Sequence, residues 1–182
     1  MTKRIILFPA LFAFGIAIVG TSLSTQAHEG ATGIVKQRMD VMSMIGKSMK
    51  ALAAMMRGKA ESSPEMIRKH AAVIKKHAGE ALLTLFPEGS TGMPSEANQM
   101  IWKDWQGFSD LANRLHETAY ALDKAAGNTH GSMMGKGKMP MSRGGQMGMS
   151  SADLASMPPN AAFMQLSRTC AACHKVYRTK HN

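Results

Sequence analysis

Apolar residues recur at alternating intervals of three and four along four long segments of this chain, a spacing that places them on one face of an α-helix. The segments cover about residues 31–58, 62–86, 94–126 and 159–182, and Pro or Gly residues separate them. A helix of about 20 to 30 residues is roughly 30 to 45 Å long, and its apolar face must pack against neighbouring helices. The pattern therefore predicts an all-α fold, an antiparallel four-helix bundle.

The composition agrees with one helical domain in a chain of 182 residues. Aromatic residues make up only 5% and methionines number 18, so residues that favour helices outnumber those that favour strands. The formal net charge is +10 at pH 7. The basic residues are spread along the helical segments instead of forming an arginine-rich block with aromatic residues, which argues against a nucleic-acid partner.

The N-terminus has the pattern of a signal peptide, residues 1–27. A basic pair precedes an apolar run at positions 5–19, and Ala27 provides a small residue at a cleavage position. The run is short for a membrane span, so an uncleaved anchor is the less favoured interpretation. We expect cleavage near Ala27, export to the periplasm and a mature domain of residues 28–182.

The only two cysteines form the sequence Cys170-Ala171-Ala172-Cys173-His174. Two thiols at this spacing can add across the vinyl groups of haem as thioethers, while the adjacent imidazole binds the iron. On a helix, Cys170 and His174 share a face because they are four residues apart. The motif therefore predicts one covalently attached haem c.

Two cysteines in an exported protein have three other possible uses. A disulfide is compatible with export. A redox-active dithiol needs a thiol with a lowered pKa at a helix N-terminus that follows a strand, and no strand pattern precedes the motif. A structural zinc site needs four ligands, and the chain has only two thiols.

This motif near the C-terminus, followed by Tyr177-Arg178, resembles the class II c-type cytochromes, meaning the cytochrome c prime group and its low-spin relatives. The first helical segment is also similar, and so are two short stretches in the middle of the chain. These parts read Arg38-Met39-Asp40-Val41-Met42 with Gly46 and Met49-Lys50-Ala51-Leu52, Leu85-Phe86-Pro87, and Ile101-Trp102 with Phe108.

The resemblance implies roles for individual positions. Cys170 and Cys173 would form the thioether bonds, His174 would be the proximal iron ligand, Met42 would face the distal side and Arg38 would lie near a haem propionate. Arg38 occupies an interior position of its helix, where an unpaired guanidinium is costly to bury, so a carboxylate is a suitable partner. An exposed arginine at a frayed end of the bundle is the alternative for Arg38, and core packing is the alternative for Met42.

Met42 decides between two functions within this family. A thioether on the iron suits a one-electron carrier, which we favour over an enzyme. An iron without that ligand can bind a diatomic gas, nitric oxide or carbon monoxide. His70 and His77 flank the apolar face of the second segment and are expected at the surface.

The segment 128–157 is rich in Gly and Met, has no apolar period and is predicted to be a surface loop. Six of its methionines and His130 form a thioether-rich set that suits Cu(I), so copper handling is a third functional hypothesis, with a plain flexible linker as the alternative. The methionines are Met133, Met134, Met139, Met141, Met147 and Met149.

Two expectations concern partners. Lys175, Arg178 and Lys180 lie near the haem motif and favour docking of an acidic periplasmic redox protein. The resemblance also allows a homodimer, although the outer helix faces present no decisive apolar patch.

Overall fold

The computed structural model describes residues 30–90, 94–129 and 149–179. Four long helices and three short ones occupy these ranges. They are α1 (Gly33–Met56), α2 (Pro64–Lys76), α3 (Glu80–Leu83), α4 (Met100–Lys103), α5 (Trp105–Ala125), α6 (Ser151–Ala155) and α7 (Pro159–Tyr177). The predicted all-α four-helix bundle is confirmed, with α1, α2, α5 and α7 as its long members.

Helix α5 is the centre of the packing, since its contacts with α7 and α2 are the most extensive between helices of the described ranges and it also contacts α6. Its buried face follows the predicted stripe through small and medium residues. These include Phe108, Ala112, Leu115, Ala119, Leu122 and Ala126. Helix α1 packs against α2 and makes few contacts with α7.

The second predicted segment is not one continuous helix. It breaks between α2 and α3 at Gly79, whose φ of 61° lies in the left-handed region that favours glycine. The N–H of Gly79 donates to the carbonyl of Ala112 at 2.9 Å. The break changes the helical register, so Leu82 and Leu83 are buried while Ala81, which the spacing places in the interior, is exposed.

The third predicted segment also divides, at Asp104, between α4 and α5. The carboxylate of Asp104 caps α5 by accepting from the N–H of Gly107 at 3.2 Å. Because the chain turns here, Trp105 is 41% exposed, although the spacing predicts that it is interior. The partly buried indole is Trp102, which donates to the carbonyl of Phe86 at 3.1 Å.

The prediction that residues 128–157 form a surface loop is wrong for the last part of this range, which contains α6. Ser150 and Asp153 form a capping box at the start of this helix, and Leu154 is completely buried. The side-chain amide of Asn128, which follows α5, donates to the carbonyls of Ala155 and Met157 at 2.9 and 2.7 Å and so holds this segment against the end of α5. Helix α6 is too short for its apolar residues to show a helical periodicity, so it could not be predicted from the sequence pattern.

Several sequence-based predictions lie outside the described residues. They are the signal peptide with its cleavage site, the copper hypothesis except for Met149, and Lys180. None of the helices in the described ranges combines the length and the hydropathy needed to cross a membrane.

Candidate haem site

A cavity of about 620 Å³ lies between α1, α5 and α7. Its volume falls within the range of about 300 to 1,000 Å³ that is typical of sites for small molecules and cofactors. Apolar side chains form much of the lining. They include Phe86, Ile101, Phe108, Leu111, Ala112 and Leu115.

Helix α7 contributes Cys170, Cys173 and His174 to this lining. The three residues share one face of the helix because they are three and four positions apart. Neither cysteine is in a disulfide, and burial raises the pKa of each thiol to about 11. A raised pKa is the opposite of what a reactive dithiol requires, so the site does not favour dithiol redox chemistry.

His174 is an exposed residue that lines the cavity. Partial burial of the ring lowers the pKa of His174, the charge of Arg178 lowers it further, and Glu96 acts in the opposite direction. The neutral imidazole is therefore favoured, and this is the form that binds a metal.

Helix α1 contributes a face of three methionines and one glycine: Met39, Met42, Gly46 and Met49. They follow one another at intervals of three and four, so the thioethers form a row along one wall of the cavity. A Cβ atom added to Gly46 would have no atom within 4 Å. Open space therefore lies beside Met42, one helical turn away.

Arg38 is buried, with 2% of its surface exposed, and it lines the same cavity. Its guanidinium donates to the carbonyl of Ser90 and lies 5.0 Å from the centre of the Phe86 ring. The Nε atom has no hydrogen-bond partner among the described residues, and burial lowers the pKa of Arg38. The alternative of an exposed arginine at a frayed end is thus wrong.

The segment Pro94–Asn98, which we call the proximal strap, closes the cavity beside the end of α7. Pro94, Ser95, Glu96 and Ala97 all line the cavity. The strap pairs with the residues that follow α7 through the N–H of Thr179, which donates to the carbonyl of Glu96 at 2.7 Å. An ion pair between the Glu96 carboxylate and the Arg178 guanidinium adds to this attachment.

Tyr177 also faces the cavity and is buried at the junction between α7 and α5. Its hydroxyl donates to the Asp104 carboxylate at 2.6 Å. Burial and this hydrogen bond together raise the pKa of Tyr177 to about 12. A Cβ atom on Gly107 would come within 2.6 Å of the Tyr177 hydroxyl oxygen, so glycine is needed for this contact.

The five site residues that the sequence singles out, Arg38, Met42, Cys170, Cys173 and His174, all line this one cavity. His70 and His77 are not among the lining residues. The sequence analysis assigns no site role to Met39 or Glu96, although Met39 lies within the stretch that resembles the family. Met39 lies between Arg38 and Met42 and could have been found from the helical spacing. The position of Glu96 depends on the path of the strap.

The donor set fits a covalently attached haem. Two thiols and an imidazole share one helix face, thioethers line another wall, and the buried Arg38 Nε lacks an acceptor that a propionate carboxylate would supply. In the described ranges, no three His, Cys, Asp or Glu side chains are grouped to hold a metal ion. The fold and the site together define a c-type cytochrome built on a helical bundle.

Comparison with known proteins agrees with this class. The family model for cytochrome c' matches residues 33–142. A relative described as cytochrome c-556 from Agrobacterium tumefaciens is 30% identical and covers 81% of this chain and 98% of its own. The chain belongs to the cytochrome c' family, whose members carry covalently bound haem c.

Solved structures show the same fold. Cytochrome c' from Rhodopseudomonas palustris covers 84% of this chain and 100% of its own, with a TM-score of 0.61 and 25% identity. A nitric oxide complex of a variant cytochrome c' from Alcaligenes xylosoxidans covers 81% of this chain and 94% of its own, with a TM-score of 0.58 and 21% identity. The resemblance to class II c-type cytochromes is thereby confirmed.

Proposed function

We propose that this protein is an exported one-electron carrier in which His174 and Met42 would both bind the iron of a single haem c. The observation that carries the proposal is that Met42 and His174 line the same cavity from two different helices. A thioether and an imidazole together stabilise both oxidation states of the iron with little change in geometry. The bound haem would supply a reversible one-electron change at its iron.

Each of the predicted site residues then has a defined task. Cys170 and Cys173 would anchor the haem through thioether bonds, and His174 would bind its iron. Arg38 would hold a propionate by a charge-assisted hydrogen bond. The apolar lining, including Ile101 and Phe108, excludes water from the site.

Met42 is preferred to its neighbours because of its register on α1. It follows Arg38 by one helical turn, and Arg38 is the group that would hold a propionate at the haem periphery. Met39 and Met49, which also line the cavity, provide matched controls.

The experiment is an optical spectrum of the haem-loaded protein in both oxidation states. We expect low-spin bands in the wild type, high-spin bands in Met42→Leu, and low-spin bands in Met39→Leu and Met49→Leu. Leucine conserves the volume of methionine, so packing changes little. A high-spin wild type, or a change of spin state in Met39→Leu instead, contradicts the assignment.

Gas binding is the second candidate function, and the open space beside Gly46 favours it. The related Alcaligenes xylosoxidans structure is a nitric oxide complex of that protein. If the iron has no thioether ligand, carbon monoxide shifts the bands of the reduced wild type. Bands that do not move on addition of the gas support the carrier.

The signal-peptide pattern of residues 1–27 supports export to the periplasm, where we propose that the protein acts. For its redox partner we propose an acidic protein. Lys47 and Lys50 are exposed beside the methionine row of α1, and Lys175 is exposed next to His174. Electron exchange with hexacyanoferrate, an anionic probe, should slow as ionic strength rises; no salt dependence would contradict this partner chemistry.

A further inference from the structure

The proximal strap brings a carboxylate to Arg178, one of the two arginines that line the cavity with His174. Arg178 is the first residue after the end of α7, four positions after His174, and both residues line the cavity. Without a counter-charge, this guanidinium would place a positive charge near the iron. The ion pair with Glu96 supplies the opposite charge from a different part of the chain.

The position of Glu96 is fixed by the backbone around it. Its own carbonyl accepts from Thr179, and the N–H of Asn98 donates to the carbonyl of Tyr177 at 3.1 Å. The Asn98 side chain donates to the carbonyl of Val176 at 2.9 Å. These bonds hold the strap against the residues that follow His174, so the Glu96 carboxylate reaches Arg178 from a fixed origin.

We infer that Glu96 is a positioning residue that holds Arg178 and offsets its charge, and thereby lowers the reduction potential of the haem. The inference rests on the proposed function through the binding of haem iron by His174. The oxidised haem carries one more positive charge than the reduced haem, so a nearby cation favours reduction and a nearby anion opposes it. Both side chains are partly exposed, with 40% and 48% of their surface accessible, so solvent and salt screen the effect.

The test is a potentiometric titration of haem-loaded variants at low ionic strength. Glu96→Gln should increase the ratio of reduced to oxidised protein about threefold at a fixed potential, because it removes the anion. This corresponds to about 28 mV, since tenfold is 59 mV for one electron. Arg178→Gln should decrease the ratio by a similar factor, and Glu96→Asp should restore a ratio near that of the wild type.

The matched control is Glu117→Gln. Glu117 forms an ion pair with Arg114 on α5 at 3.2 Å and is 52% exposed, but it does not line the cavity. This variant should leave the ratio unchanged. The difference between wild type and Glu96→Gln should also shrink as salt is added, because a charge effect is screened whereas a change in the shape of the cavity is not.

The inference is overturned if Glu96→Gln shifts the ratio no more than Glu117→Gln, if it shifts the ratio downward, if Glu96→Asp behaves like Glu96→Gln, or if salt has no effect on the difference. Failure of the proposed function has a different signature, since it would appear in the wild type as missing haem bands or a high-spin spectrum before any titration.

Discussion

The inward-facing residues of α5 and of α1 recur at the same helical spacing, but those of α5 pack helices together and those of α1 line the cavity. Along α5 and its C-cap, the part of the stripe that lies outside the cavity contains the small residues Ala119 and Ala126, and α2 and α7 pack closely against this helix. Along α1 the cavity-facing positions include Met39, Met42 and Met49, and α1 and α7 stay apart around the cavity. Small residues let helices approach, whereas long flexible thioethers suit the wall of a cofactor site.

The largest expected effect compares one residue from each face. Leu122 on α5 is completely buried, so Leu122→Ala should lower the free energy of unfolding by about 2–5 kcal/mol. Met49 is only partly buried, although it packs against the core, so Met49→Ala should cost less than Leu122→Ala, at the lower end of the range of about 0.5–3 kcal/mol typical of single substitutions. Denaturant unfolding of the haem-loaded proteins measures both values. Equal losses would show that the α1 wall is packed as tightly as the α5 face.

The next effect concerns the buried cation on the cavity side. Arg38→Met keeps a long side chain but removes the proposed partner of a propionate, so we expect a loss of about 1–3 kcal/mol in the haem-loaded protein. Arg57→Met is the control, since Arg57 is exposed just after the end of α1. A loss no greater than in the control would remove the propionate role of Arg38.

The sequence predicts the buried stripes and the residues of the haem site correctly at many positions. The stripe positions Leu52, Ile67 and Leu166 are buried as the spacing predicts, and the residues of the predicted haem site meet in one cavity. Periodicity depends only on local spacing, and the attachment motif is a local sequence, so both could be found without the tertiary structure.

The failures occur where a single residue changes the direction of the chain. Gly79 and Asp104 divide predicted helices, and the register change exposes Ala81 and Trp105. The Glu96–Arg178 pair joins residues far apart in the sequence. Its formation depends on the path of the proximal strap, which no local pattern records.

A smaller effect concerns Tyr177 of α7, which is buried beside α5 and also lines the cavity. Tyr177→Phe removes the hydrogen bond to Asp104 and should cost about 1–2 kcal/mol at pH 7. The pKa of Tyr177 is raised to about 12, above the usual value of about 10. The neutral phenol therefore contributes its full stability below about pH 10 and loses it as the pH rises towards 12. The difference in unfolding free energy between wild type and variant should shrink over that interval; a constant difference would mean that the hydroxyl is not held by Asp104.

The smallest effect comes from the same substitution, glycine to alanine, made once on the cavity side of α1 and once on α5. Gly46→Ala places a Cβ atom in open space beside the cavity, so the better helix propensity of alanine should raise the free energy of unfolding by about 0.5–1 kcal/mol. Gly107→Ala should act in the opposite direction, because its Cβ atom would lie 2.5 Å from the Asp104 carboxylate and displace it from Tyr177. Thermal unfolding of the two variants gives the signs directly. If Gly46→Ala is instead destabilising, the space beside Met42 is filled when haem is attached, and the room that favours a gaseous ligand on this wall is lost.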